Sequence, residues 1–458
     1  MKFAIIGGGL AGLMASRSLS VAQPDSEITV IERSQELGGL LSGINYKDPD
    51  IYFDKGTHIF RETGNSEIDD FILNSIPSED LIHFDVGQGD VTGAVFDGIL
   101  QTNTHFPDIR HRSDYKELLQ SLKHRTESVE PIPAIDRLSP LVSGACDRFG
   151  DLYVKHVLAP VVSRLYQLAD DELASFAFLL PGLTRVVGTD YADWSANSNY
   201  DQYRALFAIP DQRQLPKSFQ HGKRSFYSRH LGSRRFIDGV AHALRADGIT
   251  ILKGITVTSL SLNPLTVIGC DSNGSQTKLK IDGLVIATGV IGAAHLLDID
   301  LGQFHFDTPM LNRIVNLVVS EPVDSDLCYF YGLDESTEFY RVTNYRGFTD
   351  NPTDQRLTIE VLGHETVDNA TLPDRLIEQL KDIGFLDCDR YLFKDVVTLK
   401  SGFPVPTVKN MSALTALSKY IDQLLPDNVI CGGVGSKQGR FFQNEIVESI
   451  YQDARSLV

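Results

Sequence analysis

The sequence predicts a mixed α/β fold, α+β overall, in which a parallel-sheet domain is assembled from separated segments of the chain. Three observations carry this prediction. A glycine-rich strand–turn–helix pattern opens the chain, two further strand-and-turn blocks lie at 248–289 and 428–458, and apolar and polar residues alternate within 301–394. The glycine-rich start is typical of a Rossmann-like dinucleotide-binding domain. With 458 residues, the chain has room for two or three domains.

The opening segment, KFAIIGGGLAGLMASRSL, supplies the first strand and helix. Residues 2–6 form a short apolar run that predicts a buried parallel strand. Gly7, Gly9 and Gly12 follow with GxGxxG spacing, and the helical pattern begins at Leu10 and Ala11. The first glycine permits a tight turn, the second lets a pyrophosphate approach, and the third lets helix and strand pack closely. Because N–H groups at a helix N-terminus bind phosphate, this turn predicts a dinucleotide site.

A second strand supports the same prediction. The apolar pattern of residues 28–31 ends at Glu32, which follows Gly12 by 20 residues. An acid at that distance accepts hydrogen bonds from the ribose of a dinucleotide. Arg33 adjoins it and belongs to the predicted cofactor-binding set. The alternatives are a structural glycine turn followed by a surface glutamate, and an NAD(P)-only dehydrogenase.

The doublet Gly38-Gly39 and the segment FDKGTHIF (53–60) make the sequence similar to a known superfamily. It comprises FAD-containing amine oxidases, protoporphyrinogen oxidases and UDP-galactopyranose mutases, and the mutase-like branch is the nearest. The resemblance implies that FAD is the cofactor, with the doublet along its pyrophosphate and the GxHxF segment against its isoalloxazine. The cofactor residues implied here are Gly39, Leu40, Gly56, Thr57, His58 and Ile59.

Two later blocks extend the resemblance. GITILKGITVTSL (248–260) and DGLVIATG (282–289) are similar to the second nucleotide block, which implies cofactor contacts at Val257, Ala287 and Thr288. The closing block at 428–458 resembles a strand, a glycine turn and a helix that points at the flavin. It implies four further contacts, at Gly433, Gly435, Gln438 and Gly439. In the mutase branch an arginine and tyrosines hold the substrate in this block, whereas Gly433, Phe441 and Phe442 stand at those positions.

These blocks predict one discontinuous FAD-binding domain over 1–95, 225–300 and 395–458. A mainly helical insertion is predicted over 96–224, where DYKELLQSLKHR is a helix-like segment. An antiparallel-sheet substrate domain is predicted over 301–394, where segments such as RLTIEVLGHE alternate apolar and polar residues.

Two segments are candidate substrate sites. Residues 213–235 hold seven Lys or Arg and no Asp or Glu, which favours an anion site with Arg229 as first candidate. The alternative is a solvated basic loop paired with acidic neighbours. FYRVTNYRGF (339–348) resembles the Arg-containing strand of the mutase branch, which implies substrate contacts by Tyr340, Arg341 and Asn344. The alternative is a half-buried strand with an ion-paired arginine.

The predicted catalytic residues are Arg341 and His58. His58 could relay a proton beside the flavin, or it could be a hydrogen-bonded structural histidine. The predicted function is an FAD-dependent, mutase-like enzyme of nucleotide-sugar or surface-glycan metabolism that acts on a small anionic substrate. The alternatives are an FAD-dependent oxidase or desaturase and a non-catalytic FAD-binding protein.

Composition restricts the partners and the compartment. A net charge of −18 argues against nucleic acid or an anionic membrane as a partner of the whole surface. No segment approaches the ~18 apolar residues of a spanning helix. The five cysteines are scattered without a CxxC pair, which predicts buried thiols in a reducing, cytoplasmic compartment and no metal site.

Overall fold

The computed structural model describes residues 1–48, 50–84, 91–128, 130–220, 222–364, 368–403, 405–437 and 440–458, with no side-chain description for 400–403. The strands in these ranges are β1 (Lys2–Ile6), β2 (Glu27–Glu32), β3 (Ile44–Lys47), β4 (Asp50–Phe53), β5 (Phe60–Arg61), β6 (Leu81–Phe84), β7 (Thr92–Phe96), β8 (Ile99–Gln101), β9 (Ser225–Ser228), β10 (Thr250–Lys253), β11 (Thr256–Leu262), β12 (Leu265–Cys270), β13 (Gln276–Lys280), β14 (Gly283–Ile286), β15 (Met310–Val319), β16 (Tyr329–Gly332), β17 (Arg341–Asn344), β18 (Arg356–Gly363), β19 (Tyr391–Phe403) and β20 (Val429–Cys431).

The α-helices in the same ranges are α1 (Leu10–Ala22), α2 (Ser66–Asn74), α3 (Tyr115–Thr126), α4 (Leu141–Phe149), α5 (Asp151–Tyr153), α6 (Ala159–Tyr166), α7 (Phe176–Leu179), α8 (Tyr191–Asn197), α9 (Asp201–Leu206), α10 (Gly232–Ala246), α11 (Gly289–Leu296), α12 (Tyr345–Thr349), α13 (Leu372–Asp382), α14 (Val408–Leu424) and α15 (Gln443–Ala454). A π-helical turn, Val154–Leu158, joins α5 to α6. None of the helices described is both long and apolar enough to cross a membrane.

The chain divides into two compact units. The first unit comprises residues 1–83, 223–306 and 412–458, and the second comprises 84–222 and 307–411. The helical and antiparallel-sheet regions that the sequence separates therefore contribute to one unit. Segments 84–95 and 395–411, which the sequence assigns to the cofactor domain, also lie in the second unit because β7 and β19 are strands of its sheet.

A five-stranded parallel sheet forms the centre of the first unit, in the order β10–β2–β1–β14–β20. Ile5 of β1 is paired with Val30 of β2 on one side and with Val285 of β14 on the other. Residues 3–6 are buried, as expected for a parallel strand covered on both faces. Apolar side chains of α1, α10 and α15 complete this core, and the predicted mixed α/β fold class is confirmed.

Close contact between β1 and α1 explains two of the glycines. A Cβ atom on Gly12 would lie 1.9 Å from the Gly7 carbonyl oxygen, so no larger residue fits without moving the helix. Gly7 itself has φ of +114°, a conformation that favours glycine. The two positions together hold the N-terminus of α1 at the end of β1.

A seven-stranded sheet dominates the second unit, in the order β19–β15–β18–β17–β16–β7–β8. The pairs are antiparallel except β16 with β7, which are parallel. Val315, Leu317 and other residues of one face pack against α13. The opposite face carries buried polar groups, including Asn316 and Thr358, and a second core contains residues of α3 to α9.

Replacing Gly12 by alanine tests the helix–strand contact. The helix interior would gain about 1 kcal/mol of propensity, but the clash with the Gly7 carbonyl should cost more, as overpacking usually does. We expect Gly12→Ala to lower the free energy of unfolding by at least about 1 kcal/mol, measured by urea denaturation.

The control is Gly363→Ala, where the nearest atom to an added Cβ is 3.5 Å away. It should be close to neutral. Equal stability of the two variants would contradict the proposed steric role of Gly12.

Candidate functional site

A groove of about 690 Å³ lies in the first unit at the carboxyl edge of its parallel sheet. The turns after β1, β2, β14 and β20 meet there, which is where open α/β sheets bind ligands. The lining includes many of the predicted cofactor residues, namely Gly7, Gly9, Leu10, Ala11, Glu32, Arg33, Gly39, Leu40, His58, Val257, Ala287, Thr288 and Gly433.

Two glycine turns lie side by side in the groove. Gly9 begins α1 without a side-chain cap, so the first N–H groups of the helix have no intrahelical partner. Gly38 and Gly39 have φ of +104° and +60°, and the Gly38 N–H donates to the Gly8 carbonyl at 2.8 Å. A Cβ on Gly39 would have no atom within 4 Å, so the backbone here is open to a bulky anion.

Glu32 is held at the end of β2 by two backbone donors. Its Oε2 accepts from the Gly8 N–H at 2.7 Å, and its Oε1 accepts from the Ser34 N–H at 2.8 Å. Each oxygen keeps a second lone-pair direction for another donor. The carboxylate is thus oriented and lines the groove, as a ribose acceptor must be.

Several other residues that line the groove are not among the cofactor residues predicted from the sequence. Thr256 and Ile255 follow β10, and the Ile255 N–H donates to the Glu32 carbonyl at 2.9 Å. From α11, Gly292, His295 and Leu296 line the groove. Their i, i+3 and i+4 spacing after the LVIATG strand is the one sequence signal that could have identified this helix face.

The closing block contributes another wall of the groove. Gly433 has φ of +103°, and an added Cβ would lie 2.7 Å from the Gly289 nitrogen. Phe441, Phe442 and Gln443 line the groove at the start of α15. Gly12 lies behind the turn and Gly435 packs towards Val290, so neither belongs to the lining. Gln438 and Gly439 fall outside the described residues.

The segment around His58 is anchored by a buried carboxylate. Asp54 is 1% exposed and accepts hydrogen bonds from Tyr52, Tyr227 and both the N–H and the hydroxyl of Ser233. His58 lines the groove, and its Nε2 is 3.2 Å from the Lys55 carbonyl oxygen. The neighbouring Gly56, Thr57 and Ile59 are not among the lining residues described.

Lys55 lies beside the second glycine turn. Its Nζ donates to the Ser42 hydroxyl at 2.7 Å, and the Gly39 carbonyl oxygen is 3.5 Å away. Burial lowers the pKa of the Lys55 ammonium, opposed in part by Glu36. A cation is therefore held next to the open backbone of Gly39.

The second unit contains the residues predicted on the FYRVTNYRGF segment. Arg341 forms a bidentate ion pair with Glu360, which lies directly opposite on β18. Burial opposes the charged form of Arg341, but the Glu360 carboxylate outweighs it and raises the pKa of the guanidinium. Tyr340 is buried, and the Tyr340 and Tyr331 rings lie within 5.8 Å of the guanidinium.

Asn344 is on the other face of β17 from Arg341 and is also buried. Its Nδ2 donates to the carbonyl groups of Ser325 and Leu327. The strand therefore does not bring Arg341 and Asn344 to one surface. This geometry agrees with the ion-paired strand that the sequence left open as an alternative.

Most arginines of the basic stretch 213–235 have carboxylate partners. Arg224 pairs with Glu62, Arg234 with Glu36, and Arg235 with Asp80 in the first unit; Arg213 pairs with Asp326 in the second. Arg229 is exposed and is not among the described residues that line the groove. These ion pairs agree with the alternative to an anion site, namely a solvated basic loop paired with acidic neighbours.

The first unit combines a Rossmann-like fold with a groove at the carboxyl edge of its parallel sheet. Residues 5–72 match the model of the NAD(P)-binding Rossmann-like domain. No curated protein sequence matches the chain.

Three solved structures share the fold along nearly the whole chain. Reduced UDP-galactopyranose mutase has a TM-score of 0.72 at 14% identity, with 99% of this chain and 94% of that chain covered. A protein from Exiguobacterium sp. 255-15 described as a protoporphyrinogen oxidase has a TM-score of 0.67 at 17% identity, with 100% and 98% covered. A conjugated-linoleic-acid-producing fatty acid isomerase from P. acnes has a TM-score of 0.59 at 14% identity, with 98% and 97% covered.

Removing Arg341 tests the buried ion pair. The Glu360 side chain is 4% exposed, so an uncharged partner would leave a buried carboxylate without compensation. We expect Arg341→Gln to lower the free energy of unfolding by about 3 kcal/mol or more, measured by urea denaturation.

The matched control is Arg375→Gln, because Arg375 forms a bidentate ion pair with Glu338, whose side chain is 37% exposed. That variant should lose less than about 1 kcal/mol. Similar losses of unfolding free energy in the two variants would contradict the view that the buried Glu360 carboxylate needs Arg341 as its counter-charge.

Proposed function

We propose that the chain is an FAD-dependent enzyme acting on a small, anionic molecule. The observation that carries this proposal is the groove of about 690 Å³, which two glycine turns, an oriented glutamate and a helix N-terminus surround. NAD also binds such turns. FAD is favoured because the lining continues from Glu32 through His58 to the start of α15, a path suited to a cofactor with a large second ring system.

The donor set fits FAD. Open backbone at Gly9, Gly39 and the first turn of α1 would hold the diphosphate, and Glu32 would accept from the ribose hydroxyls. Thr256 and Val257 would contact the adenine. FAD, when bound, would supply a reversible two-electron centre. The N-terminus of α15 would stabilise negative charge on the ring system, since the helix dipole is positive at that end.

The finer proposal is mutase-like chemistry on a nucleotide sugar. It is supported by the fold shared with UDP-galactopyranose mutase and by the Arg341 strand. In this role Glu360 would hold Arg341 in a single orientation, and the arginine would act as an aligned hydrogen-bond donor rather than as an uncompensated charge. His58 would accept or donate a proton at the groove wall.

An oxidase or desaturase is the second candidate. Phe441 and Phe442 line the groove where the mutase resemblance implies tyrosines. Without phenolic hydroxyls, these two side chains cannot donate hydrogen bonds to a diphosphate, so the surface they form is better suited to an apolar substrate. The fold of the Exiguobacterium protein supports this candidate equally well.

Spectroscopy separates the two candidates. The purified protein should show flavin absorption bands, directly or after addition of FAD. Band shifts of the dithionite-reduced protein on addition of UDP-sugars would support the mutase-like function. Bleaching by an amine or a saturated substrate without dithionite would support the oxidase, and a protein that binds no flavin would exclude both.

Replacing Glu32 tests the cofactor site directly. Glutamine offers only one oxygen to the Gly8 and Ser34 N–H groups, so one charge-assisted hydrogen bond and the ribose acceptor are lost. We expect Glu32→Gln to raise the Kd for FAD by about tenfold or more, measured by titration of the apoprotein.

Glu27→Gln is the matched control. Glu27 is at the other end of β2, is 74% exposed and pairs with Lys2 on the surface. The Kd of the Glu27→Gln variant for FAD should equal that of the unmodified protein. A parallel loss of affinity in both variants would remove the argument for Glu32.

A further inference from the structure

Two arginines of the second unit, Arg148 and Arg185, have no carboxylate partner among the described residues and are near enough to repel each other. Arg148, in α4, donates to the carbonyl groups of Pro133, Thr184 and Ala205. Arg185 follows Thr184 directly, and its guanidinium carbon is 4.7 Å from the centre of the Phe106 ring. In the described part of the chain, no hydrogen bond or ion pair joins Arg185 to another residue.

This arrangement is unfavourable for the protein alone. Burial, followed by repulsion from Arg148, lowers the pKa of Arg185 to about 10, so the side chain is charged at neutral pH. A partly buried guanidinium has lost part of its hydration, and none of the described residues offers Arg185 an acceptor in return. His105 is neutral at neutral pH, because burial and then the positive charge of Arg185 lower the pKa of its imidazole to about 4. It therefore adds no further positive charge beside Arg185, and a neutral imidazole is no counter-ion for it.

Other arginines of the second unit show that acids are available. Arg110, Arg112 and Arg213 each form an ion pair with an aspartate, and the whole chain carries a net charge of −18. A carboxylate opposite Arg185 would therefore be easy to supply. Because the described residues provide none, an external anion could serve as the counter-charge.

We propose that Arg185 anchors a phosphate-binding site in the second unit, with Arg148 adding charge and the Phe106 ring fixing the guanidinium plane. A planar guanidinium donates two parallel N–H bonds to a phosphoryl group. Two neighbouring positive charges balance a dianion, whereas a monocarboxylate would leave one of them uncompensated. The ligand is free phosphate or pyrophosphate, or the phosphate end of a nucleotide. The site shares no residue with the dinucleotide groove and does not depend on the proposed activity.

The melting temperature of the purified full-length protein, measured with and without added FAD, tests this site. At constant ionic strength we would add sodium phosphate, sodium pyrophosphate, UDP or, as a control, sodium acetate. The unmodified protein should melt about 4 °C or more higher at a hundredfold excess of a binding phosphoryl compound over its Kd. Arg185→Met should lose this rise. Without anion it should melt no lower than the unmodified protein, because it removes an uncompensated charge and keeps an apolar contact with Phe106.

The controls distinguish this site from others. Arg213→Met removes an arginine of the same unit that has an aspartate partner, and it should keep the full anion response. Binding in the dinucleotide groove would raise the melting temperature of all variants equally. If Arg185→Met loses the rise in melting temperature for UDP only, the ligand of the site is a nucleotide. If the variant also loses the rise for phosphate and pyrophosphate, the site binds the inorganic anions.

Two results would overturn the proposal. One is the absence of any phosphoryl-dependent rise in the unmodified protein. The other is an equal rise in the Arg185→Met variant. If that variant does not fold, Arg185→Lys keeps the charge but not the paired donors, and it should show a clearly weaker rise than the unmodified protein.

Discussion

The approach of α1 to β1 is the contact on which the candidate cofactor site depends. With only hydrogen at Gly12, the first turn of the helix rests against the Gly7 carbonyl. The helix N-terminus is thereby held at the carboxyl edge of the sheet, beside Gly38 and Gly39. The Gly8 N–H then donates to the Glu32 carboxylate, so a single steric requirement aligns the proposed phosphate donors with the proposed ribose acceptor.

The charged groups of this protein differ in whether other residues already compensate their charge. Asp54 is buried but receives donors from Tyr52, Tyr227 and Ser233, and Arg341 is neutralised by Glu360. Such groups stabilise one arrangement of the chain, and towards a ligand they can act only as aligned hydrogen-bonding groups and not as uncompensated charges. Arg185 has no such partner among the described residues, and this contrast makes it the better candidate for anion binding.

The fold is retained among proteins with very different chemistry. The three neighbours include a mutase, a protein described as an oxidase and an isomerase, at 14% to 17% identity. Sequence identity this low shows the fold alone, so function must be argued from side chains. Here the phenylalanines at the start of α15 and the compensated Arg341 are the features that bear most on substrate choice.

The sequence by itself determined the mixed α/β class and the first glycine turn, because GxGxxG spacing and a distant acid are local consequences of a strand–turn–helix. It could not predict that His295 and Leu296 line the groove, since their position depends on the packing of α11. Nor could it decide whether Arg341 and the basic stretch were available to an anion. Only the tertiary structure brings Glu360, Glu62 and Asp80 to those arginines, because partners distant in sequence meet only after the strands and helices have packed.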